Sequence, residues 1–169
     1  MVVTFLPYSD FEKCAKVLDN KRLMKQRVEA YQMIRCLQGI TKGYKNHPAV
    51  VMWRGHVETL KLYFNCMIVE VYKRGYKNNI PFYKIDRKKI TCPWWLGYST
   101  FHNSHKARLL QKNKEWYSKK FTVKKEYLSR GYIWPSKLSE KQQENIIKHL
   151  ECKTKNPYRI EELSEISKD

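Results

Sequence analysis

Between Pro48 and Gly75 apolar side chains recur every three or four residues: Val50, Trp53, Val57, Leu60, Phe64, Met67, Ile68 and Val71. That interval marks one face of an α-helix. Pro48 suits a first helical position, and Gly75 after Lys73 and Arg74 suits a C-terminal stop. The spacing therefore predicts one central helix, roughly 40 Å long at ~1.5 Å per residue. Asp10 predicts the cap of a short first helix. Asp19 predicts the cap of a second, ending near Leu37, with Leu23, Met24, Val28, Tyr31 and Ile34 on its apolar side. Its other side carries Lys21, Arg22, Lys25 and Arg27.

From Tyr76 to Cys92 this periodicity gives way to a basic loop, and Cys92-Pro93-Trp94-Trp95-Leu96-Gly97 reads as a rigid aromatic turn. Ser99 begins a further helix with His102 and His105, and a shorter one holds Trp116 and Tyr117. Tyr132 to Pro135 reads as an extended piece that closes the core. Ser139 and Gln142 form a capping box, and Asn156-Pro157 a further helix start. Strand signals are sparse. The expected fold is all-α (mainly α), a compact helical bundle around one long helix with aromatic-rich irregular connections. Residues 1–135 are expected to form the main domain, and residues 136–169 a helical extension packed on it or appended to it.

Charge changes the picture most. The chain has 169 residues with 34 Lys and Arg against 16 Asp and Glu, a formal net charge of +18. Such an excess suits a polyanion, because neutralised phosphates release their counterions. No apolar run is long enough to span a membrane, and no signal-peptide pattern opens the chain. Five scattered cysteines without a CxxC argue against a disulfide framework and for a reducing, intracellular setting. Abundant tyrosine and tryptophan among the cations suit stacking on bases, although many of these rings must be core.

No GxSxG, P-loop, GxGxxG or HExxH is present. His102 and His105 share a helix face, but no further ligands accompany them, so no metal is expected. They are read as phosphate contacts or as structural groups. Glu29 is one carboxylate directly after the most basic stretch of the second helix. An ordinary ion pair with Lys25 or Arg22 accounts for it as readily as catalysis does.

Five ordered blocks add a resemblance: TFLPYSDF, VLDNKRLMKQRVEA, HPAVVMWRGH, PWWLG with FHNSH, and YIWP, together running from Thr4 to Pro135. With these the chain resembles the pyrimidine-dimer DNA glycosylases of the phage endonuclease V type, which are all-helical. Leu18 to Glu29 is similar, without a gap, to the active-site helix of that type, and Glu29 falls on its catalytic glutamate. Gly55-His56-Val57 and Lys73 to Tyr76 resemble the ends of its long helix. Val28 stands where that type has an arginine, Arg27 lies one place earlier, and the arginine following the glutamate is unmatched. The lead before the helix is also several residues longer.

The resemblance implies a DNA repair glycosylase with AP-lyase activity on damaged double-stranded DNA, acting without metal or cofactor and as a monomer. It implies an N-terminal α-amine as nucleophile, which is Val2 if Met1 is removed and Met1 otherwise, with Glu29 as general acid/base. An α-amine titrates near ~8 and a lysine near ~10.4, so more of it is nucleophilic at neutral pH. Lys21, Arg22, Lys25, Arg27, His47, Arg54, His56, Trp94, Trp95, His102 and His105 are the expected DNA contacts. The alternatives are an AP lyase or glycosylase for another base, a non-catalytic DNA-binding or packaging protein, and an RNA-binding protein.

Overall fold

The computed structural model describes residues 2–151, which contain helices and no strand. The fold is all-α. The helices are α1 (Phe11–Val17), α2 (Asn20–Leu37), α3 (Pro48–Val51), α4 (Val57–Lys73), α5 (Ser99–Lys112), α6 (Lys114–Tyr117), α7 (Lys125–Ser129) and α8 (Glu140–Glu151). Single 3-10 turns lie at Arg87–Lys89 and Pro135–Lys137. The helix start expected at Asn156 lies outside the described residues.

Helix α4 is the centre, packed against α1 and α2, and Leu60, Tyr63, Phe64, Met67, Ile68 and Val71 along it are buried. The single helix expected from Pro48 to Gly75 is instead two. Gly55 takes a left-handed φ of 79° and ends the first piece, leaving α4 with 17 residues, about 25 Å. The apolar period continues across the break because both pieces face one core. The break frees the Met52 carbonyl, which accepts from Trp95 Nε1 at 3.1 Å. At the far end Gly75 supplies the expected stop with φ 80°. Arg74 there donates to Glu70, Asn20 and the Ala15 and Lys16 carbonyls, so one guanidinium closes α4 and the C-terminus of α1.

Asp10 caps α1 through the Lys13 amide. Asp19 occupies the cap position of α2, but its carboxylate makes no cap bond; it accepts from Arg22 and from the Tyr117 hydroxyl. Trp116 Nε1 also donates to the Val17 carbonyl, so α6 is docked on the α1–α2 junction. Ser139 and Gln142 form the reciprocal capping box before α8. Asn145, Ile146, His149 and Leu150 of α8 border a cavity of about 340 Å³ with Gly97, Tyr98 and Ser99.

The most unusual element is not helical. Val2 to Leu6 runs extended through the interior, and all five residues are buried. Without a neighbouring strand, its backbone groups need side-chain partners. Val3 N–H donates to Glu29, and Val3 C=O accepts from Gln26. Phe5 N–H donates to Gln26, and Phe5 C=O accepts from the Tyr63 hydroxyl. Thr4 Oγ1 accepts from Trp53 Nε1.

Leu6 is held by the two histidines of α5. Its N–H donates to His105 Nδ1 at 3.0 Å, and its C=O faces His102 Nδ1 at 2.7 Å. His102 Nε2 accepts from the Gly97 amide, which fixes the proton of His102 on Nδ1. His105 must accept at Nδ1 and therefore carries its proton on Nε2, against the rings of Phe101 and Tyr132. Both imidazoles are buried, which lowers their pKa to about 4 at His102 and about 3 at His105.

This predicts an acid instability that precedes ordinary carboxylate titration. The unfolded chain binds protons near pH 6.5 that the folded chain refuses, so stability is full above that pH and falls as pH drops toward about 4. Burial also lowers His47 and His56, with the same sign. Each fully titrating histidine contributes a slope of about 1.4 kcal/mol per pH unit. Thermal unfolding should therefore show a Tm that declines steadily from pH 6.5 to 5; a flat Tm across that window contradicts the histidine account.

Candidate active site

The sequence of α2 sorts its residues onto two sides. Lys21, Arg22, Lys25 and Glu29 fall on one side, while Leu23, Gln26, Ala30 and Met33 are buried against the core. The first four line a cavity of about 260 Å³, with Val3 and Phe5 of the extended segment, Lys112 at the end of α5, and Tyr132. Three elements distant in sequence therefore converge on one carboxylate.

Glu29 is only 6% exposed. Its Oε2 accepts from Val3 N–H at 3.3 Å and Gln26 Nε2 at 3.1 Å, and its Oε1 lies 3.8 Å from Lys25 Nζ. Burial raises its pKa above the usual carboxylate range, and the Val3 amide and the Lys25 ammonium only partly restrain that rise. The ordinary ion pair expected with Lys25 exists but is loose, with the lysine side chain 61% exposed. Arg22 does not pair with Glu29. It is held at 2.9 Å by Asp19, which fixes its guanidinium at the cavity wall.

Other expected site residues are dispersed. Arg27 leaves the cavity side of α2 and donates to Asn78 and Asn79 in the loop after α4. His47 caps α3 through the Ala49 amide and meets Trp134 edge-on at 5.8 Å. Trp134 in turn packs on Tyr132, so an aromatic ladder runs from His47 to the cavity wall. Arg54 is exposed and donates to the Lys45 carbonyl. His56 bonds Thr91, and Trp94 is half-buried.

Trp95, His102 and His105, expected as DNA contacts, are buried, and the histidines hold the structural role weighed beside that expectation. Trp95 packs edge-on against Trp53 at 5.0 Å in the core, and the histidines have backbone partners on Leu6 and Gly97. Both nitrogens of His102 and Nδ1 of His105 are engaged by the fold, while His105 Nε2 is buried without a hydrogen-bond partner. Conversely, Gln26, Lys112 and Tyr132 belong to the site and were not expected there. Gln26 carried a usable signal, since a polar residue on the apolar side of a helix must satisfy something buried. Lys112 carried none.

Residues 2–84 match the family model for pyrimidine dimer DNA glycosylase. The chain resembles that family. The matched stretch includes Val3, Phe5, Lys21, Arg22, Lys25 and Glu29, and ends before Lys112 and Tyr132. No curated protein and no solved structure matches the chain. The broad class supported by this likeness to pyrimidine dimer DNA glycosylases is a DNA repair glycosylase, an enzyme whose partner is DNA. Among the described residues no helix is long and apolar enough to cross a membrane, and Cys14, Cys36, Cys66 and Cys92 are free thiols.

The raised pKa of Glu29 has a stability consequence. A carboxyl whose folded pKa exceeds its unfolded one contributes stability at low pH, which is lost as pH rises through the folded value. At pH 7 the buried charge is therefore a net cost. Glu29→Gln retains an oxygen for the Val3 and Gln26 donors and removes that charge. Its Tm at pH 7 should equal or exceed that of the wild type; a fall of several degrees would show that the carboxylate is structural.

Proposed function

We propose that the chain is a DNA glycosylase with AP-lyase activity, acting on damaged double-stranded DNA through a Schiff base to its N-terminal amine. The observation that carries this reading is the contact of the Val3 amide with Glu29 at 3.3 Å in a cation-lined cavity. The Val2 nitrogen lies one peptide unit upstream of that amide. Once Met1 is removed, this nitrogen is an α-amine adjoining a buried carboxylate, and the nearby lysines disfavour its protonation.

The chemistry follows from these groups. The unprotonated amine attacks C1′ of the damaged nucleotide as the glycosidic bond breaks and its electron pair leaves with the base. Positive charge that develops on the sugar is stabilised by the Glu29 carboxylate. The attached nitrogen then loses a proton to Glu29, and its lone pair breaks the C1′–O4′ bond. O4′ takes the proton back from Glu29, and the resulting iminium serves as an electron sink. Loss of a C2′ proton then expels the 3′ phosphate and breaks the strand.

Glu29 Oε1, with Lys25 at 3.8 Å as its partner among the described residues, is the oxygen available for proton transfer, while Oε2 is engaged by two donors. The upward direction of its pKa shift suits a group that must both take and return protons. Lys21, Arg22 and Lys25 hold phosphates beside the cavity. Arg27, His47, Arg54, His56 and Trp94, outside it, belong to a wider DNA surface. Pyrimidine dimers are the lesion class proposed from the family likeness, with residues 1–135 as the catalytic domain and 136–169 as its extension. No metal takes part in these steps.

The test is a borohydride trap in EDTA, with duplex DNA carrying either a cyclobutane pyrimidine dimer or an AP site. The wild type should form a covalent adduct and incise the strand, and Glu29→Gln should lose at least 100-fold in rate, as loss of a proton-transfer group commonly does (~10²–10⁴). Absence of any adduct on both substrates would favour a DNA-binding protein without catalysis. Incision only on adding a divalent metal would point to a different nuclease chemistry.

A further inference from the structure

Gln26 is fully buried, yet it lies between Lys25 and Arg27 in the most basic stretch of the chain. Its carboxamide is saturated with partners from three elements. Oε1 accepts from Phe5 N–H at 2.8 Å and lies 2.6 Å from the Tyr63 hydroxyl of α4. The single Tyr63 hydrogen is shared between that oxygen and the Phe5 carbonyl at 2.8 Å. Nε2 uses its two hydrogens on Val3 C=O at 3.0 Å and Glu29 Oε2 at 3.1 Å. The amide orientation is thereby fixed. Reversed, it would set an NH2 against the Phe5 N–H and a carbonyl oxygen against both the Val3 carbonyl and the Glu29 carboxylate.

We propose that Gln26 is the positioning residue of the reaction, holding the amine-bearing segment and the Glu29 carboxylate in one register through a single NH2 group. The inference rests on the amine–carboxylate chemistry proposed above. A side chain that only anchored the segment would need Phe5 and Val3 alone. The bond to Glu29 adds something anchoring does not require: together with the Val3 N–H it engages Oε2 and leaves Oε1 with Lys25 at 3.8 Å. Arranging reacting groups within a few tenths of an ångström is worth large rate factors, so loss of this bridge acts on the chemical step more than on DNA capture.

Gln26→Glu replaces the bridging NH2 by an oxygen and sets a second carboxylate beside the first. Two neighbouring carboxylates hold a shared proton to higher pH. The charged and titratable groups facing Glu29 are the N-terminal amine, Lys21, Arg22 and Lys25 of α2, Lys112 of α5, Tyr63 of α4, and Tyr132, all kept in this variant.

The experiment uses the full chain with AP-site duplex DNA, measuring the single-turnover cleavage rate from pH 5 to 9 and the Kd for the same DNA. Gln26→Glu is expected to cleave at least tenfold more slowly, with the acidic limb of its pH profile moved up by about one unit and the Kd changed less than threefold. Gln26→Met, which keeps the volume but not the donors, is expected to cleave at least tenfold more slowly with its acidic limb unmoved. A folded Gln26→Glu with a wild-type rate, or a slowed one with an unmoved limb, overturns the positioning role. If Gln26→Glu does not fold, a wild-type rate in Gln26→Met overturns it. A wild-type protein that neither cleaves nor is trapped overturns the lyase reading itself and this inference with it.

Discussion

The structure depends on one constraint: an extended segment, Val2 to Leu6, is buried without a strand beside it. A backbone polar group left unpaired in the interior costs roughly 1–3 kcal/mol, so a segment of this length must be supplied with partners or be expelled. Here the partners are side chains from α2, α4, α5 and the turn after α3. Glu29 and Gln26 come from α2, Tyr63 from α4, His102 and His105 from α5, and Trp53 from the turn after α3. The same set fixes the helices relative to one another, because each reaches the segment at a different residue. Glu29 is thus part of the scaffold as well as the candidate reacting group. Its burial cost and its chemical use are two aspects of one placement.

Much of the helical fold is legible in the chain because its signals are local. The Asp10 cap, the Gly75 stop, the 3.6-residue apolar stripe and the Ser139–Gln142 box each need only a few neighbouring residues. The break at Gly55 is not legible in the same way. The apolar period passes over it unchanged, and the group that satisfies the carbonyl it frees is the indole of Trp95, 43 positions away. The histidines show the same limit. An HxxH on a helix looks available for phosphate until the extended segment takes Nδ1 of each ring and the Gly97 amide takes His102 Nε2. The α2 cations divide likewise, since Lys21, Arg22 and Lys25 line the cavity while Arg27 answers to Asn78 and Asn79.

The net charge of +18 brings the chain to a polyanion, and it does not by itself say what happens there. What gives the charge direction is the contrast at Glu29. A buried carboxylate with a raised pKa lies in a ring of exposed or half-buried cations, beside the backbone that leads to the N-terminal amine. In the proposed reading the cations hold phosphates and Glu29 Oε1 makes the proton transfers. The family likeness covers residues 2–84, which hold Glu29 and its partners Val3, Gln26 and Lys25, while Lys112 and Tyr132 add to the cavity wall from beyond that stretch.

The identity of the atom that joins the DNA tests the account most directly. The borohydride-reduced adduct on AP-site DNA can be digested and its peptides mapped by mass spectrometry. The account predicts the sugar remnant on the α-nitrogen of the N-terminal peptide, with Lys21, Lys25 and Lys112 unmodified. An adduct on any of those lysines, with the N-terminal peptide unmodified, would contradict it.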